Sequence, residues 1–145
     1  MTLVVCFDGA ARANPNGPAS CGVWCALADG SVAWGAGRPL GVRTNNEAEF
    51  EALLMALDEI DGAYTLAFSA IVLRGDSALV IESLADRRTV RAANLLGLFA
   101  TARQRLDASP HRVRLEWLPR AQNKAADALA NCAIDANRLV SECDL

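Results

Sequence analysis

The sequence predicts an α/β domain built on a mixed sheet. Three observations carry this: the first third reads as three β-type runs separated by turn signals, later β-type runs alternate with helical periods, and 145 residues suit one domain with a sizeable core. The element order is βββαβααβα, so a meander precedes the crossovers and helices must cover the sheet. Apolar residues at 52% and charged residues at 21% exclude a disordered or collagen-like chain.

Leu3 to Phe7 is a short β-rich run ending at Asp8-Gly9, and a loop rich in Asn, Pro and Gly follows from Asn14 to Pro18. Ser20 to Ala28 and Ser31 to Gly37 are two further strands, joined at the hairpin signal Asp29-Gly30. Past the turn residues Pro39 and Gly41, Thr44 or Asn45 can cap a helix to about Ile60, whose first turn is acidic as the macrodipole prefers. Ala70 to Leu73 is an unbroken apolar run bounded by Gly75, which suits a strand buried on both faces. Asp76 or Ser77 caps a helix to about Ala85, and Arg91 to Leu106 reads as another. His111 to Leu118 alternates as a strand with Val113, Leu115 and Trp117 on one face, and Asn123 to Asn137 is the last helix. Residues 1–137 form the expected single domain, and 138–145 a tail without an assigned role, either a disordered end or a docked extension.

No apolar run approaches the roughly 20 residues of a membrane span, since Tyr64 to Leu73 is short and closes on Arg74. Met1 to Phe7 has neither a basic region nor a small-residue cleavage site, so a cytoplasmic protein without membrane association is expected. Cys6, Cys21, Cys25, Cys132 and Cys143 form an odd set without CxxC spacing, and the chain has one histidine. They read as reduced, mostly small core residues, which argues against a zinc site. The net charge of −3 hides an asymmetry: Met1 to Val72 carries 3 basic and 8 acidic residues, whereas Leu73 to Leu145 carries 11 and 9. Between Arg87 and Arg120 eight arginines (87, 88, 91, 103, 105, 112, 114, 120) meet only Asp107 and Glu116. That stretch is either a basic face for a polyanion or a solvated helical surface.

Four carboxylates disagree with their local burial pattern. Asp8 ends the first strand and Asp76 the buried fourth one, where ligands of α/β sheets gather, although each can also serve as a cap or turn former. In the helix after Thr44, Glu49 shares a face with Leu53, Ala56 and Ile60, while Glu47 and Glu51 are each rotated about 200° from it and read as solvated surface. Asp127 stands among Ala125, Ala126, Ala128, Leu129 and Ala130, bordering the packed side of the last helix. A charge on an apolar stripe is costly unless a cation or donors meet it. If the four converge, they form an oxygen-only ligand set of the kind that favours magnesium or manganese. Two such ions about 4 Å apart can activate a water and stabilise the leaving oxygen of a phosphodiester.

Phe7-Asp8-Gly9, Thr44-Asn45-Asn46-Glu47-Ala48-Glu49, Gly75-Asp76-Ser77 and the run from Asn123 to Ala130 occur in the order found in type 1 ribonuclease H, which the chain resembles from Leu3 to about Ala136. The resemblance implies a ribonuclease H-like α/β fold with a five-stranded mixed sheet, three antiparallel strands then two parallel, flanked by helices. It implies Asp8, Glu49, Asp76 and Asp127 as catalytic metal ligands for two Mg2+ ions, with Mn2+ as a substitute, and hydrolysis of the RNA strand of RNA/DNA hybrids to 5′-phosphate and 3′-hydroxyl ends. By matching position, Gly9, Arg12, Asn14, Asn45, Asn46 and Ser77 resemble contacts to the hybrid, where RNA is told from DNA by its 2′-hydroxyls. Thr44 resembles a contact to a DNA phosphate.

The chain departs from the best-known bacterial pattern in two places. The loop Leu118-Pro119-Arg120-Ala121-Gln122-Asn123 has no histidine, and Arg120 is the residue expected to touch a phosphate in its stead. The stretch from Asp86 to Asn94 is short, with Arg87, Arg88 and Arg91 in place of a long basic insertion, so weak, salt-sensitive hybrid binding by a monomer is expected. His111 reads as a surface residue, and Trp24, Trp34 and Trp117 as core or sheet-face packing. The alternative to the nuclease is a non-catalytic or weakly active nucleic-acid-binding domain of the same fold; a related exonuclease or integrase-like nuclease would share the carboxylates but not the Thr44 to Glu49 context.

Overall fold

The computed structural model describes residues 1–31, 33–62, 68 and 70–145. Val32 of the expected third strand, and residues 63–67 and 69 of the apolar stretch before Ala70, lie outside the described residues. Strands β1 (Thr2–Ala11), β2 (Pro18–Leu27) and β3 (Ala33–Val42) form an antiparallel meander; β4 (Ala70–Gly75) and β5 (Arg112–Trp117) extend it in parallel on the β1 side. A sixth strand, β6 (Val140–Ser141), pairs antiparallel with β3, giving the order β5-β4-β1-β2-β3-β6. Helices are α1 (Asn45–Gly62), α2 (Ala78–Leu84), α3 (Ala93–Ala108) and α4 (Lys124–Ala136).

Side-chain alternation divides the molecule into layers. Leu3, Val5 and Phe7 of β1 and Cys21, Val23 and Cys25 of β2 face α1, whose Phe50, Leu53, Ala56, Leu57 and Ile60 complete the main core. Phe99 of α3 meets Phe50 edge to face, with centroids 6.4 Å apart. The opposite face is covered by α4, where Leu129 and Ala133 pack with Trp24 and Val140. α4 lies so close that any Cβ at Gly22 would collide with the backbone of Ala126 and Ala130. Ser20 Oγ donates to the Ala130 carbonyl beside that contact.

The strands differ from expectation in length and number. β1 runs past Asp8-Gly9 because its partner β2 continues the ladder to the pair Ala11–Ala19. β3 likewise continues through Pro39 to Val42. The missing N–H of Pro39 is tolerated because β6 pairs only with Ala36 and Gly37 on that side. Residues 138–145 are docked: Val140 is buried, Glu142 Oε2 accepts the Gly35 N–H at 3.1 Å, and Ser141 and Asp144 form a capping box. This segment adds the sixth strand. The five cysteines are free thiols, and no helix among the described residues is long and apolar enough to cross a membrane.

Candidate active site

Parallel pairing of β1 with β4 runs from Thr2–Ala70 to Phe7–Gly75, and the next residues on the two strands are Asp8 and Asp76. Asp8 lies opposite Gly22, hence on the face that α4 covers, whereas Gly9 points toward α1. Because residue 9 has no side chain, the first turns of α1 come down onto β1; a Cβ there would collide with the backbone of Ala48 and Glu49. Glu49 is thereby carried over the sheet end to Asp8. Carboxylate oxygens of Asp8, Glu49 and Asp76 lie within 4.8 Å of one another. Asp127 of α4 lines the same cavity from the other layer, outside that tight group of three.

α1 is started by a capping box: Thr44 Oγ1 accepts the Glu47 N–H at 3.1 Å, and Glu47 Oε1 accepts the Thr44 N–H at 2.9 Å. Glu51 pairs with Arg43 at 2.9 Å. Glu47 and Glu51 are therefore not idle surface charges but structural ones. Ser77 is the N-cap of α2, its Oγ accepting from Val80 N at 3.3 Å.

The cluster is electrostatically uncomfortable. Burial, then the charges of Glu49 and Asp76, push the Asp8 carboxyl well above the usual carboxylate range. Glu49 is raised chiefly by burial, with a hydrogen bond to Asp8, the Gly9 N–H and the Arg120 guanidinium working against the rise. Asp76 is raised by burial as well. Glu49 Oε2 is buried with no hydrogen-bond partner among the described residues. An oxygen-only donor set, mutually repelling and with one oxygen unsatisfied, fits a hard divalent cation.

The four acids open into a cavity of about 350 Å3 that is also lined by Gly9, Arg12, Asn45 and Arg120. Of the other expected substrate contacts, Asn14 accepts the Asn45 N–H at 3.0 Å, Asn46 is exposed at the start of α1, and Thr44 and Ser77 cap their helices. Arg120 opens a 3-10 turn, Arg120–Gln122, at the rim. Two asparagines were not singled out from sequence. Asn123 is buried and donates to the Phe7 carbonyl at 2.9 Å, tying α4 to β1 beside Asp76. Asn131 lines the cavity one helical turn after Asp127, a spacing that was visible but carried no charge to draw notice. Trp117, expected in packing, is 54% exposed and donates its indole N–H to the Asp76 carbonyl at 3.1 Å.

The arginine-rich stretch differs from a free basic face. Arg88 pairs with Glu82, Arg103 with Asp86 and Asp107, Arg105 with Asp58 and Asp61, and Arg114 with Glu116.

Residues 6–133 match the family model described as reverse transcriptase-like. Ribonuclease HI of Halobacterium salinarum is 39% identical over 133 residues, 89% of this chain and 62% of that protein. The crystal structure of RNase H1 from that archaeon superposes with a TM-score of 0.83 at 35% identity, covering 94% of this chain and 99% of the other. The chain belongs to the type 1 ribonuclease H family. A second relative within reach of this family member, a bifunctional protein of Mycobacterium tuberculosis, is 39% identical over 137 residues, 94% of this chain but 36% of its own length. The chain thus spans about a third to three fifths of the length of these curated relatives. LC11-RNase H1, solved in complex with an RNA/DNA hybrid, matches this ribonuclease H-type chain with a TM-score of 0.83 at 30% identity, covering 93% of this chain and 98% of that one.

Proposed function

We propose that the chain is a metal-dependent endoribonuclease that hydrolyses the RNA strand of RNA/DNA hybrids, leaving 5′-phosphate and 3′-hydroxyl ends. The observation that supports this best is the convergence of four acids from β1, α1, β4 and α4, with the buried Glu49 Oε2 unsatisfied. Asp8, Glu49, Asp76 and Asp127 would hold two Mg2+ ions, with Mn2+ as a substitute. Bound there, the ions supply a water of lowered pKa and stabilise charge on the departing oxygen.

The remaining steps belong to the chain's own residues. Asp8 is the acid common to the group, since it faces Glu49, Asp76 and Asp127. Arg120, exposed at the rim, is placed to hold the phosphate and to offset the charge of Glu49 and Asp76. Gly9, Arg12 and Asn45 line the cavity, and with Asn14, Asn46 and Ser77 they would supply polar groups and backbone donors to a minor groove, while Thr44 at the start of α1 would meet a DNA phosphate. No protein nucleophile is needed. The hybrid bound by LC11-RNase H1 supports the substrate class. With many arginines internally paired, affinity for the hybrid is weak and salt-sensitive, and the protein works as a monomer in the cytoplasm.

The test is cleavage of an end-labelled RNA/DNA hybrid beside RNA/RNA, DNA/DNA and single-stranded RNA, in Mg2+, Mn2+ and chelator, with Asp8→Asn as control. Internal, metal-dependent cleavage of the hybrid alone that vanishes in Asp8→Asn is the expected result. Hybrid binding without cleavage under either metal would replace the nuclease by a binding domain.

A further inference from the structure

Asp127 stands apart from the tight group of three acids, and its neighbours show how it is held. Asn131 lies one turn further along α4, and its Nδ2 donates to the Asp127 carbonyl at 3.0 Å and to Asp127 Oδ1 at 3.2 Å. Its Oδ1 accepts from an Arg12 guanidinium nitrogen at 3.3 Å, and the other terminal nitrogen of Arg12 pairs with Asp135, a further turn along, at 2.6 Å. An amide side chain has one accepting end and one donating end. A guanidinium at the first and a carboxylate at the second fix which way it faces. Arg12 belongs to the loop after β1, so the relay runs from loop to helix across the cavity mouth that both residues line.

We propose that Asn131 is a positioning residue for Asp127: its amide, oriented by Arg12, sets the side-chain rotamer in which Asp127 presents its carboxylate to a divalent cation. This role rests on the metal-dependent reading given above. The bond engages Oδ1, so the carboxylate is steered through one oxygen while the other remains for the cluster. Without that donor Asp127 is free to turn among rotamers, and the ordering must be supplied when the cation binds. Groups that orient a metal ligand typically change metal affinity about 10–100-fold.

The experiment compares wild type, Asn131→Ala, Arg12→Ala and the double variant. Far-UV circular dichroism and the metal-free Tm verify folding; Mn2+ affinity is read by calorimetry, and kcat and KM are measured separately on the hybrid. Asn131→Ala is expected to weaken Mn2+ binding by at least about tenfold and to lower kcat more than it raises KM. Arg12→Ala weakens Mn2+ binding less, and the double variant is no weaker than Asn131→Ala, because Arg12 acts through the amide. A folded Asn131→Ala with wild-type Mn2+ affinity, or fully additive losses in the double variant, would overturn the relay. If wild type fails to cleave the hybrid while Asn131→Ala still weakens Mn2+ binding, the nuclease reading falls and the role of Asn131 stands.

Discussion

Two charged regions of this molecule are built on opposite terms. At Asp8 of β1 and just past the end of β4, acids from four separate segments line one cavity, and burial raises the carboxyls of Asp8, Glu49 and Asp76. On the outer helical layer, Arg105 of α3 reaches Asp58 and Asp61 of α1 at 2.6 and 2.9 Å, and Arg103 lies 3.5 Å from both Asp86 and Asp107. These two arginines are paired within the molecule, and Arg105 ties α3 to α1. In the carboxylate region acids face acids, with Arg120 at the rim, and that difference separates a candidate site from a brace.

The largest effects that sharpen this contrast are on cleavage. Asp76→Asn removes one carboxylate charge of the cluster and should lower kcat on the order of 10^3-fold, measured on a labelled hybrid in excess Mg2+; a change of a few-fold would place Asp76 outside the chemistry. The three neighbouring glutamates of α1 give the next test. Glu49→Gln should abolish cleavage, whereas Glu47→Gln and Glu51→Gln, whose partners are Thr44 and Arg43, should keep most of it. Comparable loss in all three would erase the distinction between the buried glutamate and its structural neighbours.

A smaller effect follows from linkage. A carboxyl whose folded pKa lies above its unfolded value favours folding while protonated, and that contribution is lost as pH rises from the ordinary carboxylate range toward the folded value. Metal-free protein should therefore lose Tm from about pH 4 upward through neutrality, and Asp8→Asn should flatten this fall. A wild-type slope unchanged in Asp8→Asn would remove the crowding argument. Smallest is the brace: Arg105→Ala should cost about 1 kcal/mol, roughly 2–4 °C in Tm, with hybrid affinity unchanged. A loss of affinity instead would make Arg105 part of a binding face.

How much of this was legible in sequence follows the same division. Asp8 and Asp76 stood out because each interrupts an apolar run, and Glu49 because it falls on the stripe of Leu53, Ala56 and Ile60, all of them buried. The collision avoided at Gly9, which lets Glu49 reach Asp8, has no sequence signature of its own. Nor did the arginine count reveal its counter-charges, since Asp58 and Asp61 lie more than forty residues from Arg105 along the chain. Asn131 was silent for a related reason: an uncharged amide between alanine and cysteine does not offend a burial pattern. β6 is two residues long, too short for alternation, and its place depends on Gly37 leaving room for Val140.

The central claim, that the acids of β1, α1, β4 and α4 form a cluster completed by a divalent cation, is met most directly by one measurement. It is the Tm of wild type and Asp8→Asn at pH 8, with and without Mg2+ or Mn2+. The account predicts that metal raises the wild-type Tm, that Asp8→Asn melts higher than wild type without metal, and that metal then adds little to it. A wild-type Tm indifferent to both cations, together with an Asp8→Asn variant less stable than wild type, would contradict it.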